Sequence, residues 1–301
     1  MSDSNGLFRQ SLEQLRKAAT FAADKPDETP ESSVRALWLT AAGRPCAVSR
    51  VGNALPDLTE TESRALEALI GRRIAGEPLA YLIGRQEFMG HEFITAPGAL
   101  IPRRETELLG NAALAAAREL AADGRAVRIL DLCTGSGNLA IALALGEPRA
   151  VVWASDLEAG AVALTSRNIA LHGVEDRVTV LQGDLFGALD APGSTPAPFD
   201  LIVCNPPYIP SRKANSMPIE VGGHEPAAAF DGGDFGLSIL FRLVAEAPHY
   251  LVPGGWLCFE LGAGQGPLIE RRLAARGSYA EIRTVPDHNG TARTLMARRG
   301  E

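Results

Sequence analysis

Two short stretches of this sequence carry residue types at spacings that could do chemistry. The first is Asn205-Pro206-Pro207-Tyr208. Two prolines in a row remove two backbone donors and fix φ, so the chain makes a rigid corner whose carbonyls no helix can absorb. The Asn side chain adds one acceptor oxygen and a pair of donors. Together, the Asn205 side-chain oxygen and the Pro206 carbonyl can grip an –NH2 group by both hydrogens, with Tyr208 against its flat face. Such a grip suits methylation of a planar, amide-type nitrogen. The lone pair of that nitrogen is conjugated, so alignment and desolvation must supply most of the acceleration. Pro-Pro alone would be an ordinary turn after a strand; Asn before it and Tyr after it make a site the better reading.

The second stretch is Asp131-Leu132-Cys133-Thr134-Gly135-Ser136-Gly137-Asn138-Leu139-Ala140, where an apolar run gives way to a helical pattern. Its glycines allow a sharp turn and close approach to a ligand, and a helix N-terminus offers free N–H groups. Gly135, Gly137 and Ala140 also satisfy the dinucleotide fingerprint, with Asp156 at the spacing of a ribose-binding acid. The loop alone therefore leaves the cofactor open. Three acids at strand ends, Asp131, Asp156 and Asp184, favour S-adenosylmethionine. That molecule carries a sulfonium, an ammonium, a ribose diol and an adenine amine, all suited to carboxylates, whereas two phosphates are not. Any one of the three could simply cap the helix that follows.

These residues need a frame. Val127–Leu132, Val151–Asp156, Val178–Gln182, Leu201–Cys204 and Trp256–Glu260 are continuous apolar runs, as expected of parallel strands covered on both faces. Helical patterns at Leu139–Leu145 and Ala159–Leu171 alternate with them. The expected fold is α/β, a doubly wound Rossmann-like sheet with ligands at the carboxyl ends of its strands. Ahead of it, residues 1–76 read as a small helical domain. Leu7, Phe8, Leu12, Leu15 and Ala19 repeat at helical spacing, Val34, Leu37, Trp38 and Ala41 follow, and Thr59 to Glu62 is a capping box. Residues 77–105, punctuated by Gly84, Gly90, Pro97 and Gly98, read as a β-hairpin linker that includes Tyr81, Leu82 and Ile83. Residues 106–301 form the catalytic domain, opening with a helix at Thr106–Ala122. The run Asp190–Pro198 is a surface insertion. Arg293 and Asp287 are expected to pair structurally.

The totals narrow the class. The 301 residues carry 29 Lys and Arg against 36 Asp and Glu, a net charge of −7. That balance disfavours a protein that grips nucleic acid by its phosphates. The four cysteines show neither disulfide nor metal-ligand spacing, so no metal is expected and the thiols are read as reduced. No secretory signal and no membrane-length apolar run is visible, and a cytoplasmic protein is expected.

The motifs taken together resemble one family. Asn205 to Tyr208 is similar to the acceptor motif of amino-methyltransferases, both adenine-N6 and glutamine-N5 enzymes. Glu77-Pro78-Leu79-Ala80-Tyr81 with Gly84, Glu87-Phe88-Met89-Gly90, and Leu100-Ile101-Pro102-Arg103-Arg104-Glu105-Thr106-Glu107 resemble the glutamine branch, the HemK-like protein-(glutamine-N5) methyltransferases of peptide chain release factors. Glu220-Val221, Glu225-Pro226, Asp287, Gly290 and Arg293 fit as well. The resemblance runs from about residue 59 to the C-terminus. It implies a helical substrate-recognition domain, a hairpin linker, a seven-stranded S-adenosylmethionine-dependent domain, and a class I release factor with its Gly-Gly-Gln loop, or a ribosomal protein, as partner. It also implies that Cys133, Thr134, Gly135, Ser136, Gly137, Asp156, Asp184, Leu185 and Asn205 hold the cofactor, while Asn205, Pro206, Pro207 and Tyr208 hold the glutamine amide. Arg104 stands where the family has a second Pro, and Phe235 where it has Asp. Those departures keep a free amino acid, or a small amide or guanidine, open as acceptor. An adenine-N6 nucleic-acid enzyme is a third reading, without the basic recognition domain it would use.

Overall fold

Hydrophobic patterning and capping account for most of the elements in the computed structural model, which describes residues 4–21, 25–190, 198–214 and 222–301. Two units are distinguished, Met1–Pro97 with Pro218–Glu225 and Gly98–Met217 with Pro226–Glu301. Most of the expected surface insertion, and Glu220-Val221, fall outside the described residues. Among the described residues no helix is long and apolar enough to cross a membrane.

The first unit holds α1 (Ser4–Ala18), α2 (Pro30–Ala41), α3 (Glu60–Ile74) and α4 (Leu79–Ile83), then the antiparallel pair β1 (Arg85–Phe88) and β2 (His91–Ile94). Leu15, Val34, Leu37, Trp38, Leu66 and Ile70 make its core, and the Trp38 indole N–H reaches the Pro56 carbonyl at 2.8 Å. Thr59 caps α3 as its sequence promised: the Glu62 N–H donates to Thr59 Oγ1 at 3.3 Å, and the Thr59 N–H donates to Glu62 Oε2 at 2.7 Å. Thr59→Ala removes half of that reciprocal cap. It is expected to cost about 1 kcal/mol, read as a lower urea midpoint of the α-helical signal; an unmoved midpoint would show that tertiary packing alone holds this end.

Tyr81, Leu82 and Ile83 are helical, not part of the hairpin expected for them. All five residues of α4 are buried, which an alternating strand does not permit, and Gly84 ends the turn at φ 68°. The hairpin is thereby confined to residues 85–94. Its two-residue turn, Met89-Gly90, has φ of 49° and 78°, the left-handed pair that matches strand twist in tight hairpins.

The second unit is built on a seven-stranded sheet of order β5-β4-β3-β6-β7-β9-β8. The strands are β3 (Val127–Leu132), β4 (Ala150–Asp156), β5 (Val178–Gln182), β6 (Phe199–Cys204), β7 (Leu251–Glu260), β8 (Tyr279–Pro286) and β9 (Ala292–Arg299). The first five in that order are parallel, while β9 runs antiparallel to both β7 and β8. Helices α5 (Thr106–Leu120), α6 (Asn138–Gly146) and α7 (Ala159–His172) complete the parallel half. Every residue of β6 is buried, and Leu130, Ile202, Leu257 and Phe259 lie in one continuous core. The chain leaves β3 toward β5 and returns to β6 on its other side. This strand-order reversal opens a crevice at the carboxyl ends of β3 and β6. Strand β7 starts earlier than its apolar run suggested. Val252-Pro253-Gly254-Gly255 belongs to the strand, with a register irregularity opposite Phe199 to Leu201.

Candidate active site

A cavity of about 260 Å³ sits at that crevice. The loop after β3 forms one wall. Cys133, Gly135 and Gly137 have φ of 56°, 59° and 79°. Left-handed backbone at a non-glycine residue costs about 1–2 kcal/mol and persists only where its surroundings enforce it. The enforcement is visible in the bonds around the loop. The Thr134 hydroxyl donates to Asp131 Oδ2 at 2.6 Å, and the Ala140 N–H reaches the same oxygen at 3.1 Å. The Gly135 N–H donates to Asp156 Oδ2 at 2.8 Å, and the Thr165 hydroxyl holds the Gly135 carbonyl at 3.0 Å.

This lattice sorts the residues expected to hold a cofactor. Cys133, Thr134, Gly135, Asp156, Asp184, Leu185 and Asn205 line the cavity. Ser136 and Gly137 stand behind it. The Ser136 carbonyl is taken by Asn168 Nδ2 at 2.8 Å, and a β-carbon on Gly137 would meet Thr165 at 2.8 Å, so this glycine serves packing against α7. A β-carbon on Gly135 meets no protein atom within 4 Å, which leaves that stretch of cavity wall open for a ligand to approach the backbone. Leu185 has φ of 49°, a second non-glycine residue on the cavity wall in this conformation.

The three strand-end acids divide. Asp156 faces the cavity, with its Oδ1 accepting from the Glu158 N–H at 3.0 Å; burial raises its pKa, against the backbone N–H groups of Glu158, Gly135 and Leu157 that stabilise its charge. Asp184 also lines the cavity but shares both oxygens with Arg242 Nη1 at 3.0 Å. Asp131 is fully buried behind the loop and braces it instead of meeting a ligand. Burial pushes its carboxyl up to about 7, and its Oδ1 has no hydrogen-bond partner among the described residues.

The raised pKa of Asp131 has a signed consequence. The folded protein holds this proton more tightly than the unfolded chain, whose carboxyl titrates in the ordinary range. Stability from this group is therefore lost as pH rises toward about 7, where ionisation in the folded state completes the loss. Asp131→Asn abolishes that slope, whatever constant offset its buried amide adds. The stability difference, variant minus wild type, is expected to grow from pH 5 to pH 8 in urea titrations; a difference flat with pH would mean that Asp131 is ionised throughout.

The opposite wall carries the second motif. Asn205 and Pro207 line the cavity, whereas Pro206 is buried and Tyr208 turns away from it. The Tyr208 hydroxyl donates to Glu260 Oε1 at 2.7 Å, and burial together with that carboxylate keeps the phenol protonated. Glu260 also accepts from the Thr106 hydroxyl at 2.7 Å, and Asn205 Nδ2 donates to Thr106 Oγ1 at 3.0 Å. Burial raises the Glu260 pKa; the Thr106 and Tyr208 hydroxyls and Arg293 act against it. Arg293 joins this group rather than Asp287: its guanidinium lies 3.5 Å from the Tyr208 hydroxyl and 4.0 Å from Glu260. Asp287 instead closes its own turn on the Asn289 and Thr291 N–H groups at 2.8 and 2.9 Å.

Sequence reasoning missed Thr106, Glu260 and the segment Gly98–Arg103, which lines the cavity rather than serving only as connection. The signal for Glu260 was available, since it is one more acid closing an apolar strand. Phe235, 72% exposed, does not line the cavity. Its loop packs on the second motif, with Gly236 so close to the Tyr208 carbonyl that a β-carbon there would lie 2.1 Å away.

Comparison with known proteins follows this division. Residues 109–220 match the methyltransferase small domain and residues 13–84 match the PrmC N-terminal domain. The human methyltransferase 10 domain containing protein shares the fold, with a TM-score of 0.50 at 16% identity over 69% of this chain and 88% of its own. Sheet order, loop and domain match together define a methyltransferase of the doubly wound α/β class. The release factor glutamine methyltransferase of Geobacter sulfurreducens is 40% identical, covering 87% of this chain and 88% of its own. That of Moorella thermoacetica is 35% identical over 98% of this chain and 99% of its own. This chain belongs to the release factor glutamine methyltransferase family.

Proposed function

We propose that the protein transfers the methyl group of S-adenosylmethionine to the side-chain amide nitrogen, N5, of the glutamine in the Gly-Gly-Gln loop of a peptide chain release factor. The observation that carries this reading is the sharing of one cavity: Asn205 and Pro207 from the end of β6 face the same space as Asp156 and the loop Cys133–Gly135. The donor set fits the cofactor. Asp156 and Asp184 would accept from its hydroxyl and amine groups, and the open wall at Gly135 lets a ligand approach the backbone. The bound cofactor supplies an electrophilic methyl group on a sulfonium.

The chain's own residues do the rest by positioning. Asn205 Oδ1 and the Pro206 carbonyl take the two amide hydrogens, which orients the nitrogen and strips water from it. Tyr208, protonated and bonded to Glu260, stiffens the corner and is no base. The nitrogen sheds its proton readily once methylated, so solvent can receive it.

The exposed Phe235 favours a protein acceptor over a small one. It leaves the cavity unchanged and presents an aromatic face to solvent beside the acceptor motif, a suitable anchor for a protein surface. The net charge of −7 disfavours a nucleic acid. The test is transfer from radiolabelled S-adenosylmethionine to an unmethylated class I release factor, beside free amino acids and small amides. Label on the Gly-Gly-Gln glutamine is the expected result. Label on a small molecule alone would overturn the acceptor and keep the chemistry.

A further inference from the structure

We infer that Glu260 and Thr106 act as a hydrogen-bond relay that dictates which way the Asn205 amide faces, which makes both of them positioning residues for methyl transfer. The inference rests on the reading of Asn205 as the grip on the acceptor amide. Asparagine oxygen and nitrogen are nearly the same size, so sterics alone barely distinguish the two orientations of the amide. Only one of them works here. With the oxygen toward the ligand, Asn205 accepts an N–H from the substrate; with the nitrogen toward it, donor meets donor.

The proton count decides the orientation. Glu260 ends β7, is 2% exposed, and each of its two carboxyl oxygens accepts a hydroxyl hydrogen, one from Thr106 and one from Tyr208. Oε2 takes the single hydroxyl hydrogen of Thr106 at 2.7 Å. With that hydrogen committed, Thr106 Oγ1 can only accept, so the Asn205 atom 3.0 Å away must be its nitrogen. The Asn205 oxygen is then the amide atom left for the acceptor. Oε1 of the same carboxylate holds the Tyr208 hydroxyl at 2.7 Å, with the Arg293 guanidinium 4.0 Å away to balance the charge. One side chain thus ties both ends of Asn205–Tyr208, and a buried carboxyl group with both oxygens engaged is the kind of network that specifies a single arrangement.

The test compares Thr106→Val, Thr106→Ser, Glu260→Gln and the Thr106→Val/Glu260→Gln double variant. Turnover on unmethylated release factor is measured alongside calorimetric affinity for S-adenosylmethionine. Valine keeps the shape of threonine without its hydroxyl, and is expected to lower kcat about 10- to 100-fold with cofactor affinity and KM for the release factor nearly unchanged. Serine is expected to recover most of the loss, which a role in packing alone would not allow. Glutamine at 260 turns one carboxylate oxygen into a donor, reverses one hydroxyl, and is expected to lose turnover comparably. The double variant should be no worse than the worse single one, because both break the same chain of bonds. Wild-type turnover in Thr106→Val, equal impairment by serine and valine, or losses that multiply in the double variant would each overturn the relay alone. Absence of wild-type turnover on release factor would overturn the reading of Asn205 and the relay with it. Should Glu260→Gln fail to fold, the valine and serine comparison decides by itself.

Discussion

Asn205→Ala is expected to lower kcat for release-factor methylation by about two to three orders of magnitude while the protein stays folded. The structural cost is small: the side chain's one hydrogen bond among the described residues runs from Nδ2 to Thr106, and losing it is worth about 1 kcal/mol. The catalytic cost is large because the acceptor is an amide. Its lone pair is delocalised into the carbonyl, so reactivity must come from holding the nitrogen in line with the methyl carbon and away from water, and misplacement by about 1 Å already costs about 100-fold. On the proposed grip, alanine would leave the Pro206 carbonyl as a single point of attachment, about which the –NH2 group can swing. The effect should fall mainly on kcat, with the KM of the protein substrate little changed, since a protein acceptor is too large for most of it to enter a cavity of about 260 Å³. Cofactor affinity should weaken by a smaller factor, because Asn205 is only one part of the shared wall. Turnover within a few-fold of wild type would remove Asn205 from the grip and, with it, the chemistry argued here.

How much of this was legible beforehand depends on the kind of signal. Strand β3 was readable end to end, because a strand flanked by β4 and β6 and covered on both faces is largely apolar; β5, at the sheet edge, was readable from its β-branched and apolar residues 178–181 instead. The edge strand β8 and its neighbour β9 were not. In Tyr279–Pro286, partly exposed Glu281 and Arg283 dilute the apolar pattern, and β9 runs antiparallel in a sheet whose other signals are parallel. Leu79–Ile83 misled because a five-residue apolar run has no period long enough to separate helix from strand. At the site, Asn205 and Asp156 were visible from residue type and position alone. The bracing role of Asp131 was not, because an acid at a strand end looks the same whether it faces a ligand or is sealed behind the loop; burial separates it from Asp156. Thr106 was hidden between Glu105 and Glu107, whose charges draw the eye, while its own importance comes from Glu260, 154 residues away in the sequence.

Asp156→Ala is expected to weaken S-adenosylmethionine binding by about 100-fold, and the argument separates into two parts. The first is the direct contact. A carboxylate at the end of β4 facing the cavity can accept from a hydroxyl pair, and a hydrogen bond to a charged group is worth about 1.5–3 kcal/mol, or about 10- to 150-fold in affinity. The second is the loop. Asp156 Oδ2 takes the Gly135 N–H at 2.8 Å and Oδ1 takes the Glu158 N–H at 3.0 Å, so alanine frees two backbone donors and loosens a turn already held in left-handed conformation. Asp156→Asn separates the two. Its one oxygen can keep the Gly135 bond, while its –NH2 group can no longer accept from a hydroxyl. If direct contact dominates, asparagine and alanine lose similar affinity in calorimetry. If the loop dominates, asparagine stays near wild type while alanine loses both affinity and thermal stability. Unchanged affinity in the alanine variant would mean that the cofactor does not meet this acid. The doubly wound fold would then still stand, but the choice of a methyl-donor nucleoside, which leans on this carboxylate more than on any glycine of the loop, would have lost its main support.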